Sequence, residues 1–177
     1  ITAQFRQQWV EMAKEIHEAY SFFYTIDNTT TPVLWYGGFA NFYANNLEGA
    51  FADFKKAEMN HPYHQHLLNN LASCYELKGD RAKAIEYYQQ ALAINPYFRD
   101  ALLNLSIVFF QSGKLDEAYS TISRFPDKKE GKYVEVMVAV LKTKSIDFSK
   151  TMNDETKKST LLKNVENNDW LMQMEQE

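Results

Sequence analysis

The stretch QHLLNNLASCYELKGDRAKAIEYYQQALAINP, residues 65–96, decides the fold. It holds two helical patterns with one break between them. In the first, Leu68, Leu71, Ala72 and Tyr75 are apolar at the three- and four-residue steps of one helix face. Lys78, Gly79 and Asp80 interrupt it: glycine ends a helix at little steric cost, and aspartate caps the helix that follows. In the second, Ala84, Ile85, Tyr88, Ala91 and Leu92 recur until Pro96 forbids continuation. Small residues (Ala72, Ala84, Ala91) let two antiparallel backbones cross closely, and Leu71, Tyr75 and Tyr88 fill the space beside the crossing.

The pattern recurs at a step of about 34 residues. Downstream, Leu68, Asn70, Leu71, Tyr75, Gly79 and Ala84 become Leu102, Asn104, Leu105, Phe109, Gly113 and Ala118. Upstream, Ala84, Tyr88, Ala91 and Pro96 become Ala50, Phe54, Ala57 and Pro62, and Tyr63 and Tyr97 follow the two prolines. Chance does not keep small residues, aromatics and prolines in phase across three units. Leu-x2-Leu-Ala-x2-Tyr, then Ala-x3-Tyr-x2-Ala, then Pro resembles the tetratricopeptide repeat family. The fold expected is all-α, a TPR helical-hairpin solenoid of about three repeats over residues 33–125.

Working outward, Phe5, Trp9, Met12, Ile16, Tyr20 and Phe23 form an apolar stripe over residues 4–24, and DNTTTP at 27–32 breaks it. Residues 1–26 are read as an N-terminal helix packed on the first repeat. Its polar face carries Glu11, Glu15 and Glu18, which argues against a basic membrane-surface helix. In the first repeat Gly37 and Gly38 stand where the family places Leu and a small residue, and Phe42 is one place out of register. Each glycine costs roughly 1 kcal/mol in a helix interior, so close approach of the N-terminal helix is expected there. Residues 47–59 form its partner helix, residues 64–94 the middle repeat and 99–125 the third, cut short at Phe125 and Pro126. Residues 130–144 present Tyr133, Val136, Met137, Val140 and Leu141 on one face, as a helix capping the array would. Residues 145–177 form a polar, partly helical tail, with a short helix near 155–166. Its Trp170, Leu171 and Met172 either dock on a surface or hang loosely.

The formal net charge is −4 and no basic run occurs, which argues against a nucleic-acid groove. Cys74 is the one cysteine, so no intrachain disulfide forms, and it is read as a small packed residue. The chain begins at Ile1 rather than Met and is read as a piece of something longer. The lack of a leader or span is therefore uninformative about its parent.

His61, His64 and His66 sit close together in HPYHQH. Pro62 interrupts them and no cysteine or carboxylate adjoins them, so no metal site is expected. No catalytic motif occurs, and neither catalytic residue nor cofactor is expected.

The resemblance implies a concave face, lined by the first helix of each pair, that binds a protein or peptide. The residues at those places are Trp35, Tyr36, Phe39 and Tyr43; His66, Asn69, Asn70, Ser73 and Leu77; and Leu103, Asn104, Ile107 and Gln111. Asn70 and Asn104 recur in register. Their carboxamides either read an extended peptide backbone or bond across helices within the scaffold. The aromatic group is either an anchor pocket or a surface buried under the N-terminal helix. Lys78 and Lys114 fall at turns, so the lysine grip that chaperone-binding members use on a carboxylate is missing.

The run LNNLASCYELKGDRAKAIEYYQQALAINPYFRDALLNLS also resembles the soluble repeat tail of bacterial O-antigen ligase or polymerase proteins. That resemblance implies an extracytoplasmic accessory domain whose chemistry belongs to a membrane portion elsewhere. This stretch would itself make no membrane contact.

Overall fold

Residues 45–46, 79–80 and 113–114 set the phase of the chain. Asn45, Gly79 and Gly113 have φ of 65°, 85° and 73°, the left-handed region, and recur at the step of about 34 residues. Glycine is the residue expected in this role. Asn45 fills the same place because asparagine tolerates the left-handed region better than other side chains. The next residue begins a helix each time. Asn46 accepts from Gly49 N at 3.1 Å and Asp80 from Lys83 N at 3.0 Å. Lys114 has nearly the backbone angles of Asp80 but makes no side-chain cap, and the helix after it has 8 residues, against 12 and 14 in the other two cases. Lys114→Asn is therefore expected to raise stability by about 1 kcal/mol, read as a higher denaturation midpoint.

A computed structural model describes residues 2–20 and 32–167, with side chains up to residue 165. The helices are α1 (Ala3–Tyr20), α2 (Val33–Tyr43), α3 (Leu47–Glu58), α4 (Gln65–Leu77), α5 (Arg81–Ile94), α6 (Arg99–Gln111), α7 (Leu115–Ile122), α8 (Gly131–Lys150) and α9 (Glu155–Asn167). The described residues are otherwise turns and coil, so the protein is an all-α helical-repeat fold. It comprises two compact units, Ile1–Ala101 and Leu102–Glu177.

In the first unit α2 pairs with α3, α4 with α5, and α3 with α4. Ala50, Ala72, Ala84 and Ala91 are completely buried, as backbone crossings require, with Phe54, Leu71 and Tyr88 filled in around them. The Tyr88 hydroxyl donates to Glu76 Oε2 at 3.2 Å and lies 3.0 Å from Ser73 Oγ, so this buried ring keeps its polar end satisfied.

Helix α1 packs antiparallel on α2: Trp9 meets Phe39 and Tyr43, and Ile16 meets Gly37. The stripe seats less completely than expected. Ala13 is buried and Trp9, Ile16 and Tyr20 are half-buried, but Phe5 and Met12 stay exposed. Phe23 lies outside the described residues, as do residues 27–31 of the expected break. The two glycines divide their work. A Cβ on Gly37 would meet Ile16 of α1 and Asp53, as the expected close approach requires. A Cβ on Gly38 would instead strike the ring of Phe54 in α3.

Asp53 ties α1 to this hairpin. Its Oδ1 lies 2.7 Å from His17 Nε2, and its Oδ2 accepts from Asn41 Nδ2 at 2.8 Å. Asn46 Nδ2 donates to Asn41 Oδ1 at 2.9 Å, joining the network to the α3 cap. Asp53 and Asn41 are buried, so each depends on these partners.

In the second unit Leu102, Leu105, Val108, Ala118 and Ile122 are buried. Phe125, which the sequence reads only as the end of a repeat, is also buried and stacks on Tyr133 of α8 (5.8 Å, 27°). Helix α8 runs past Lys144 to Lys150, burying Ser149. Helix α9 buries Val165. Trp170, Leu171 and Met172 lie outside the described residues. No described helix is long and apolar enough to cross a membrane.

Candidate functional site

Helix α2 carries an aromatic row on one side. Trp35 stacks on Phe39 (5.5 Å, 29°), Phe39 contacts Tyr43 at 4.7 Å, and Tyr36 meets Trp35 edge-on at 5.0 Å. Trp9 of α1 stacks on Tyr43 (5.1 Å, 27°) and meets Phe39 edge-on at 5.9 Å. The N-terminal helix covers one flank of the row, yet Tyr36, Phe42 and Tyr43 remain 45%, 37% and 38% exposed.

Beside the row lies a cavity of about 100 Å³ lined by Phe39, Phe42, Tyr43, Phe54, Asn70 and Ser73. Of these, the sequence singles out Phe39, Tyr43, Asn70 and Ser73. The family register puts Phe42 out of step, and the repeat pattern reads Phe54 as core. A helical wheel carries the signal for Phe42, which stands three residues from Phe39.

On α4 the polar side chains are committed within the protein. With its carboxamide oriented to satisfy both atoms, Asn70 accepts from Trp35 Nε1 at 3.2 Å and donates to the His66 carbonyl at 3.2 Å. It therefore joins α2 to α4, which is the bond across helices foreseen as one alternative. Ser73 Oγ donates to the Asn69 carbonyl at 3.2 Å and contacts the Tyr88 hydroxyl. Asn69 is only 7% exposed, which corrects its expected place on the open face: α4 has α3 on one side and α5 on the other. His66 is exposed, its ring edge-on to Phe98 at 4.8 Å. Leu77 is exposed at the end of α4. Leu103, Asn104 and Ile107 are half-buried on α6 and Gln111 is exposed, all four in the second unit.

The described side chains lining the cavity carry no charge. The nearest thiol, Cys74, is buried and burial pushes it up to about 12, which holds it as an unreactive thiol. Among the described residues no three His, Cys, Asp or Glu side chains converge as a metal site would require. His64 instead serves the helix itself. Its Nδ1 accepts from Leu67 N at 3.2 Å and so caps α4.

That cap needs Nδ1 unprotonated. Burial first, then the neighbouring His66 and His61, hold the His64 imidazole below its ordinary range. The unfolded chain therefore takes up the proton more readily than the folded one. The contribution to stability is full above the unfolded value, about 6.5, and is lost as pH falls through the lower folded value. Denaturant melts between pH 7.5 and 5 are expected to show falling stability, with a shallower fall in His64→Asn, which keeps a cap and removes the titration.

The tetratricopeptide repeat profile matches residues 67–98. The chain is 34% identical over 73 residues to the Photosystem I assembly protein Ycf3 of Cyanophora paradoxa, an alignment covering 41% of each. It is 42% identical over 41 residues to an uncharacterised protein of Methanocaldococcus jannaschii, covering 23% of this chain and 48% of that protein. The chain thus spans less than half the length of either relative. The first TPR domain of Spaghetti (RPAP3), solved bound to the HSP90 peptide SRMEEVD, matches with TM-score 0.61 at 22% identity, over 64% of this chain and 94% of that one. MamA matches with TM-score 0.65 at 15% identity, over 92% and 89%. A tetratricopeptide repeat protein of Parabacteroides merdae matches with TM-score 0.65 at 17% identity, over 82% and 62%. At these identities the likeness is one of fold.

Proposed function

We propose that this chain, a tetratricopeptide-repeat protein, is a non-catalytic interaction scaffold that holds an extended peptide or partner segment against the face of α2 and α4. The observation that carries the proposal is the part-exposed aromatic row of α2 beside an open, uncharged cavity. A monomeric fold rarely leaves several large rings together in water unless a partner covers them. The match to a domain solved with a bound peptide supports the mode of use. The ligand chemistry differs, since that peptide is acidic and the cavity here has no cation in its lining. Residues 103, 104, 107 and 111 lie on α6 in the second unit and are proposed as a ligand-contacting surface of that unit by itself. The glycan-assembly reading rests on the sequence resemblance alone, and in that setting the same face would serve a membrane-protein partner.

The test is selection of peptides from a displayed random library, followed by anisotropy titrations and NMR shift mapping on the whole chain. Binders that perturb the α2 and α4 amides, and weaken on Tyr36→Ala, are the expected result. A library that yields no binder, or binders mapping only to α8 and α9, would sink the proposal.

A further inference from the structure

We infer that the cavity between α2, α3 and α4 is a selective subsite for one uncharged aliphatic side chain, of leucine, isoleucine or methionine type, from an internal position of the bound peptide. The inference rests on the scaffold reading above and narrows it to a ligand chemistry.

Size is the first argument. A sealed apolar cavity of about 150 Å³ accommodates a benzene ring, so about 100 Å³ suits a branched or thioether side chain better than an indole. The walls are the second. Phe39, Phe42, Tyr43 and Phe54 present ring faces and edges, which favour alkyl groups and the polarisable sulfur of methionine. Third, the two polar lining residues are already engaged. Asn70 is held between Trp35 Nε1 and the His66 carbonyl, and the Ser73 hydroxyl proton is committed to the Asn69 carbonyl. A polar or ionised side chain entering here would shed water and find little in exchange. Fourth, with no cation in the lining, a chain-terminal carboxylate would go uncompensated, so the inserted residue is an internal one.

The subsite is also preformed. Phe54 is fixed in the core, and Tyr43 is backed by Trp9, so its ring need not reorder when the ligand arrives. Phe42 forms the rim and is exposed enough to be removed without opening the core.

The test uses five acetylated and amidated pentapeptides, alanine throughout except for a central leucine, methionine, alanine, glutamate or tryptophan. Each is titrated into the full isotope-labelled chain and followed by NMR. The leucine and methionine peptides are expected to bind roughly tenfold more tightly than the alanine peptide, shifting Phe39, Tyr43 and Ser73. Glutamate should give no saturable shift, and tryptophan should fall below leucine. Phe42→Ala should erase the leucine preference while the melt stays near that of the parent. Ser73→Leu, which fills the cavity from within, should erase it as well. If all five bind alike, if glutamate wins, if none binds, or if Phe42→Ala leaves the preference intact, the inference is overturned. The library selection separates the two ideas: peptides held on this face without an aliphatic preference leave the scaffold standing and remove only the subsite.

Discussion

Gly38→Ala is expected to destabilise the protein by about 3 kcal/mol, although alanine is the better helix former. A Cβ at this position would stand 2.4 Å from Phe54 Cε1, 2.5 Å from Cδ1 and 2.9 Å from Cζ. Phe54 is buried beneath it, and contacts this short with a ring cannot stand, so something must shift. Either α2 and α3 move apart or the ring leaves its rotamer. Gly37→Ala is the control. Its Cβ would lie 3.1 Å from Asp53 Oδ2 and 3.2 Å from Ile16 Cγ2, tight but relieved by a few tenths of an ångström. Propensity returns roughly 1 kcal/mol there, so little net change is expected. Urea melts of the two variants decide the matter. If Gly38→Ala is as stable as the parent, the helix crossing is not as close as described.

Asp53→Ala is expected to cost about 3 kcal/mol and to loosen α1. The substitution leaves Asn41 Nδ2 buried without its acceptor and removes the partner of His17. Much of the surface of α1 already faces water. Trypsin should then cut after Arg6 and Lys14 faster than in the parent, before the repeats themselves unfold. Equal cleavage rates would mean that the Asp53 contacts do not hold α1 in place. Freed of Trp9, the α2 row would expose more of Phe39 and Tyr43, and the variant should self-associate at high concentration.

What the sequence discloses is what is local and periodic. Alanines at backbone crossings and glycines at left-handed turns follow from steric rules acting within one hairpin, and each unit restates them. Asn45 is hidden from such a reading because it fills glycine's role without glycine's signature. The pairing of His17 with Asp53 spans 36 residues between two unremarkable polar positions, and no periodicity points to it. The candidate site divides the same way. The family resemblance points to Phe39 and Tyr43, but the same register leaves Phe42 out, which a helical wheel of α2 would have placed beside Phe39. The resemblance also puts Asn69 on an open face, whereas burial is decided by what packs from both sides of α4.

Cys74 offers one last consequence. It is the chain's one cysteine, completely buried in α4, and its thiol is held far from the thiolate form that reacts. A maleimide or disulfide reagent added to the native protein therefore waits for the middle hairpin to open. Its rate of modification becomes a clock for that opening, read without any probe built into the chain. Ligand held across α2 and α4 should slow the clock in proportion to its occupancy. A partner bound elsewhere, with no stake in α4, should leave it running at the same pace.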